Sequence, residues 1–233
     1  MWEMENLGVA TWRTDDHHCR FDLRGGGSSF SISGFADTKS STSSSSVLLS
    51  AIEDQVLPLA SEQYVRQNRL TINYPQADGL YAIRLSIEPM DSSPDQIVME
   101  LTVSIQTDLL DTHPMLDLHA PGSNVASFGM AGEQKNWREK MRVSHLTADS
   151  VNTVEGSDGT LAVLLDRHDA PATTCLSDGG QLRLRLFGDF LEKGVIRTAR
   201  PWIVMHQGNS PLDKTPLLRR YQDLEQRPLP LAT

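Results

Sequence analysis

The chain contains 233 residues, of which 21 are basic and 30 are acidic, so its formal net charge at pH 7 is −9. An acidic balance of this size disfavours nucleic acid as a partner, because phosphate groups are bound by basic surfaces. No stretch reaches the roughly 20 consecutive apolar residues that a membrane-spanning helix needs, and we therefore expect no membrane partner.

The N-terminal segment carries Glu3 and Glu5 where a secretory signal would carry basic residues, which predicts a cytoplasmic protein. Cys19 and Cys175 are the two cysteines of the chain and are far apart in sequence, without a CxxC motif. We interpret them as two buried, reduced thiols, and a single disulfide between them is the alternative.

Alternation of apolar and polar residues with a period of two is the dominant pattern, and it predicts strands with one buried face. It occurs at residues 19–23, 30–32, 81–88 and 182–186. The clearest case is residues 96–107, in which one face is entirely apolar: Ile97, Met99, Leu101, Val103 and Ile105.

The segments between these strands predict turns and antiparallel hairpins. Gln67 and Asn68 join two β-prone segments, and Asn tolerates the positive φ of a tight turn. Residues 186–205 are interpreted as one long hairpin that turns near Gly194. Residues 15–18, with the sequence DDHH, are interpreted as a solvated turn.

Helical patterns are sparse. Residues 48–65 have apolar residues at helical spacing, but Pro58 interrupts them, so broken strands are expected and a helix is the alternative. Residues 136–146 suit either a short helix or a strand. The proline-rich residues 210–233 predict an extended tail, with a short helix at residues 217–224 as the alternative.

These patterns together predict an all-β protein with two packed antiparallel sheets, a β-sandwich with few short helices. Residues 1–209 are expected to form a single β-sandwich domain of about 12 or more strands, followed by the tail at residues 210–233. The serine run at residues 40–46 is interpreted as a mobile loop within that domain.

Residues 73–119 carry a family resemblance. Tyr74-Pro75, the strand pattern of residues 83–87 and 99–105, and the segment 107–115 follow one another with a rhythm that resembles the central strands of galactose-mutarotase-like proteins. That family has a large β-supersandwich fold and includes aldose epimerases and many sugar-processing domains. The resemblance implies a supersandwich-type fold and the recognition of a carbohydrate.

The segment after the clearest strand contains the candidate catalytic residues His113, His119 and Asp111. A histidine beside a carboxylate can exchange a proton near neutral pH, as sugar ring opening or ester hydrolysis requires. We expect His113 or His119 to act as the acid with Asp111 assisting, if the protein is an enzyme. The alternative is that the aspartates cap turns and the histidines lie at the surface or are partly buried.

A second set of candidates could bind a ligand. Arg183 and Arg185 share one strand face, and Arg197 is expected on the neighbouring arm, so that the three guanidinium groups could hold a carboxylate or phosphate. His168 lies between carboxylates in residues 166–169 and is a further candidate. The alternatives are that the arginines pair with acidic side chains and that residues 166–169 form a polar turn.

The sequence thus predicts a protein that recognises a carbohydrate or a small anionic ligand, and leaves open whether it is an enzyme. The alternative is a non-catalytic interaction or assembly protein, forming homo-oligomers through its sheet faces and C-terminal tail. The chain has no P-loop, GxGxxG or HExxH motif, and we expect neither a cofactor nor a metal.

Overall fold

The computed structural model describes residues 1–35, 45–77, 79–131, 136–140, 146–157, 159–178, 180–208 and 214–228. These residues form 19 strands and one helix. In chain order they are β1 (Trp2–Asn6), β2 (Val9–Arg13), β3 (His18–Asp22), β4 (Ser29–Gly34), β5 (Ser45–Ala51), β6 (Glu62–Arg66), β7 (Arg69–Tyr74), β8 (Ala82–Pro89), β9 (Gln96–Gln106), β10 (Met115–Pro121), β11 (Ser123–Ala131), β12 (Asn136–Lys140), β13 (Leu146–Thr147), β14 (Val151–Glu155), β15 (Gly159–Leu164), β16 (Thr174–Cys175), β17 (Gln181–Phe187), β18 (Ile196–Ala199), β19 (Trp202–Gln207) and α1 (Lys214–Gln226).

The strands form two antiparallel sheets that pack face to face. Sheet A has the order β1-β2-β3-β4-β5-β10-β17-β16-β13. Sheet B has the order β12-β11-β14-β15-β19-β9-β8-β7-β6, and β18 also pairs with β9. The predicted all-β sandwich is therefore confirmed. Residues 40–44 of the serine run lie outside the described residues, whereas Ser45 and Ser46 begin β5.

The core lies between the sheets and consists of the inward side chains of both. The predicted apolar face of β9, from Ile97 to Ile105, is buried as expected from its alternation. Cys19 and Cys175 are both buried and reduced, which confirms their interpretation as thiols. Burial raises the pKa of the Cys19 thiol to about 12.

A buried histidine ties the two sheets together at one end. The Nε2 of His17 lies 2.7 Å from the carbonyl oxygen of Ser93, so the ring must donate a hydrogen bond to the turn between β8 and β9. The same ring packs between Trp12 and Phe35, with centroid distances of 6.2 and 5.9 Å. The prediction of a fully solvated turn at residues 15–18 is therefore wrong at His17, because carbonyl groups of the other sheet give its ring a partner away from water.

The Gln67-Asn68 pair forms the predicted turn, in which Arg66 pairs with Arg69, although Gln67 rather than Asn68 has the positive φ, at 57°.

The long hairpin predicted at residues 186–205 is not formed. Strand β17 pairs with β10 in sheet A, while β18 and β19 pair with β9 in sheet B. Alternation indicates which face of a strand is buried but not which strand is its neighbour.

The C-terminal segment is helical where an extended tail was expected. Helix α1 buries Leu217, Tyr221 and Leu224, which lie on one face at helical spacing. Pro216 falls in the first turn, where a backbone N–H has no helical partner, so this proline is compatible with the helix. The shorter helix considered for residues 217–224 lies within α1.

Helix α1 packs on the outer face of sheet B. Leu217 and Leu224 join an apolar cluster with side chains from β9, β11, β14, β15 and β19: Val98, Phe128, Val151, Ala162, Leu164, Trp202 and Val204. The outer faces of β6, β7 and β8 lie beside this covered area and form a groove. Among the described residues, no helix is long and apolar enough to cross a membrane.

Candidate ligand-binding groove

The groove on the outer face of sheet B has a volume of about 810 Å³ and is lined by side chains of β6, β7, β8, β9 and β18, together with Arg227. Small-molecule sites in proteins commonly have volumes of about 300 to 1,000 Å³. Because the inward residues of these strands fill the core, the alternate residues must face outwards and form the groove floor. Cross-strand register arranges them in three rows.

The central row consists of hydroxyl side chains. Tyr64, Thr71, Ser86 and Thr102 are successive cross-strand partners on β6, β7, β8 and β9. The hydroxyl oxygens of Thr71 and Ser86 are 3.0 Å apart and share a hydrogen bond. We call these four residues the hydroxyl row.

A mixed row lies two residues further along the strands and consists of Glu62, Asn73, Arg84, Ser104 and Thr198. The Nδ2 of Asn73 donates to Glu62 at 2.6 Å, and the Nε of Arg84 donates to the Oδ1 of Asn73 at 3.0 Å. Ser104 and Thr198 share a hydrogen bond of 2.9 Å. These contacts hold the side chains in fixed orientations before any ligand binds.

A carboxylate pair, Glu88 and Glu100, lies on the other side of the hydroxyl row. Glu100 is buried and accepts hydrogen bonds from Trp202 Nε1 at 3.1 Å and Arg227 Nη1 at 2.5 Å. Arg69 Nε donates to Glu88 at 3.0 Å. Burial alone would raise the pKa of Glu88, but the guanidinium groups of Arg69 and then Arg227 outweigh it and lower that pKa.

The candidate catalytic residues lie away from this groove. Asp111 and His113 are exposed in the loop between β9 and β10, where Asp111 has a φ of 58° and the His113 ring packs on Phe190. His119 is half-buried on β10, and burial lowers its pKa. The described side-chain contacts do not bring His119 together with Asp111 or His113.

Arg183 and Arg185 share the outer face of sheet A, where both bind Asp117. The Nε atoms of both arginines lie 2.8 Å from an oxygen of Asp117. Burial would raise the pKa of Asp117, but the hydrogen bonds and charges of Arg185 and Arg183 lower it. The structure therefore shows the alternative interpretation, in which these arginines pair with an acidic side chain.

The expected row of three arginines is not formed. Arg197 is on β18 in sheet B and pairs with Asp189 at 3.3 Å, whereas Arg183 is in sheet A. The prediction failed because it assumed that β17 and β18 are neighbours. His168 lies in a turn in which its backbone N–H donates to Asp166 at 2.7 Å, as the polar-turn alternative predicted.

Sequence reasoning missed the groove itself. Thr71, Ser86 and Thr102 each alternate with buried apolar residues, so the sequence indicates that they lie on the sheet face opposite the core, although Thr71 is itself buried in the groove floor. It does not show that they are aligned, because alignment depends on the register of β7, β8 and β9. Among the residues that the structure describes, no group of three or more His, Cys, Asp or Glu side chains could hold a metal ion.

Comparison with protein-family models and with curated protein sequences finds no match to this chain. The resemblance of residues 73–119 to galactose-mutarotase-like proteins therefore stays a prediction.

Proposed function

We propose that this protein binds a carbohydrate in the groove on the outer face of sheet B. The observation that carries the proposal is the hydroxyl row. Each Ser, Thr or Tyr hydroxyl both donates and accepts hydrogen bonds, as does each hydroxyl of a sugar. Side chains on one face of a sheet repeat about every 4.8 Å across the strands and about every 6.7 Å along them. This grid suits a flat ligand with hydroxyl groups on several sides.

Two further features support a carbohydrate. Tyr64 is 41% exposed on the edge strand β6, at the end of the hydroxyl row, and an exposed tyrosine there can place its ring against a sugar ring. The hydrogen bonds of the mixed row fix Asn73 and Arg84 in advance, so little side-chain entropy is lost on binding.

The carboxylate pair favours recognition over glycoside hydrolysis. Hydrolysis uses one carboxylic acid with a raised pKa and a second carboxylate that acts as base or nucleophile. The pKa of Glu88 is lowered, and both Glu88 and Glu100 are bound by arginine side chains. We therefore propose binding without hydrolysis by this pair.

A glycan array with two matched variants tests the proposal. Ser86→Phe places a bulky ring in the centre of the hydroxyl row, whereas Ser31→Phe places the same ring on the outer face of sheet A at a similarly half-buried serine. We expect wild type and Ser31→Phe to bind the same oligosaccharides, and Ser86→Phe to bind at least tenfold more weakly. Binding to none of the glycans, or equal binding by both variants, would contradict the proposal.

The assembly hypothesis stays a prediction. It rested on an extended C-terminal tail, and residues 214–226 instead form a helix packed on sheet B of the same chain.

A further inference from the structure

Arg66 is an exposed arginine at the end of β6. It lies on the same strand face as Tyr64, two residues away, and it lines the groove. Its side chain makes no hydrogen bond or ion pair with any other residue in the described part of the chain.

The other charges around the groove balance one another. Arg69 and Arg227 bind the carboxylate pair, and each of these two positive charges therefore has a negative counterpart. In the mixed row, Arg84 and Glu62 flank Asn73 and carry opposite charges. The charge of Arg66 has no negative counterpart among the described residues, so this end of the groove is locally positive although the whole chain has a net charge of −9.

The contrast with sheet A shows what a structural arginine looks like in this protein. Arg183 and Arg185 direct their guanidinium groups at the buried carboxylate of Asp117, which they keep ionised. Arg66 has no such carboxylate within the described residues. A guanidinium group in this position can form two parallel hydrogen bonds to a planar carboxylate, or to two oxygens of a sulfate or phosphate.

On the basis of the proposed function, we infer that the bound carbohydrate is acidic and that Arg66 binds its anionic substituent while Tyr64 contacts the sugar ring beside it. The shared chemistry is an oxyanion carried by a saccharide. Carboxylated, sulfated and phosphorylated sugars all supply such a group.

The test uses an array that presents uronate-containing, sulfated, phosphorylated and neutral oligosaccharides, with trigalacturonic acid and its neutral methyl ester as a matched pair. Arg66→Gln removes the charge and keeps a polar side chain of similar length. Arg13→Gln is the matched control, because Arg13 is also exposed but lies on β2 of sheet A, with its guanidinium 3.7 Å from Glu3. Both variants should fold, since neither side chain is buried.

We expect the wild type and Arg13→Gln to prefer an acidic class of glycan, and the class preferred identifies the substituent. Arg66→Gln should bind that glycan about tenfold more weakly, which corresponds to the loss of one charge-assisted hydrogen-bonded pair, with little change for neutral glycans. Equal or better binding of neutral glycans through the groove would contradict the inference that the ligand is acidic. It would leave the proposal of carbohydrate binding intact. Failure of every glycan to bind would overturn both proposals.

Discussion

Glu88 and Glu100 lie directly opposite each other on β8 and β9, and both accept hydrogen bonds from Arg69 and Arg227. Arg69 begins β7, whereas Arg227 directly follows α1. The four side chains therefore link the C-terminal helix to one end of the groove. Glu100 is only 4% exposed, and a carboxylate buried to this degree requires such partners.

Replacing Arg227 with alanine should destabilise the protein. The change leaves the buried Glu100 carboxylate with a weaker set of donors, and we expect the free energy of unfolding to fall by about 3 kcal/mol. Urea denaturation at pH 7 measures this. Arg219→Ala, an exposed position on the same helix, is the control and should change stability by less than about 0.5 kcal/mol. Equal losses in the two variants would argue against the link.

Asp117 should contribute to stability mainly above its unfolded-state pKa. Because Arg185 and Arg183 lower the pKa of Asp117 in the folded protein, its contribution is present above the ordinary value of 3.8 and is lost as the pH falls through the lowered value. Asp117→Asn should cost about 2 to 4 kcal/mol at pH 7 and flatten the acid side of the stability profile. The exposed Asp15→Asn should leave that profile unchanged.

The contribution of Asp169 to stability should have the opposite pH dependence to that of Asp117. Burial raises its pKa from 3.8 to about 6, so the folded protein binds more protons than the unfolded chain in this interval, and stability falls as the pH rises through it. Asp169→Asn keeps an oxygen that can accept from the Arg200 backbone N–H. The free energy of unfolding of Asp169→Asn, taken relative to that of the wild type, should rise by roughly 2 kcal/mol between pH 4 and pH 7.

Unfolding measured at several pH values tests the Asp169 prediction, with the exposed Asp178→Asn as control. Burial lowers the pKa of His119, so the contribution of His119 to stability is lost as the pH falls in wild type and variant alike. The quantity to follow is therefore the difference between the free energies of unfolding of wild type and variant. A constant difference across the range would rule out titration of Asp169.

Tyr64 should contribute to carbohydrate affinity through its ring. Tyr64→Ala should weaken binding by about 1 kcal/mol, or roughly fivefold, through loss of the contact with the sugar ring. Phe190→Ala is the matched control, because Phe190 is an aromatic residue of similar exposure, 44% against 41%, outside the groove lining. Titration calorimetry compares the two. A larger effect of Phe190→Ala would place the ligand elsewhere.

Much of the fold follows from alternation alone. The inward faces of β8, β9 and β17 occupy the positions that the sequence indicates, since one polar face and one apolar face determine which side of a strand is buried. Alternation does not show that β17 and β18 lie in different sheets. The same residues are buried whether these two strands pair with each other or with other strands. Helix α1 was obscured by Pro216 within it and by the prolines that flank it in the sequence.

The side chains that meet on the outer faces of the sheets were harder to predict, because their alignment depends on long-range register. Asp117 and Arg183 are 66 residues apart in sequence, and the charge pattern alone does not show that they meet. The hydroxyl row likewise joins β6, β7, β8 and β9. The ring of His17, which was predicted to lie in a solvated turn, links the two sheets.

The most direct test of carbohydrate binding by the groove is a crystal structure of the protein with its best-binding oligosaccharide. We expect the sugar to lie across β7, β8 and β9, with its hydroxyl groups hydrogen-bonded to Thr71, Ser86 and Thr102 and a ring against Tyr64. A sugar bound instead on the outer face of sheet A, beside His119 and Arg183, would contradict the account.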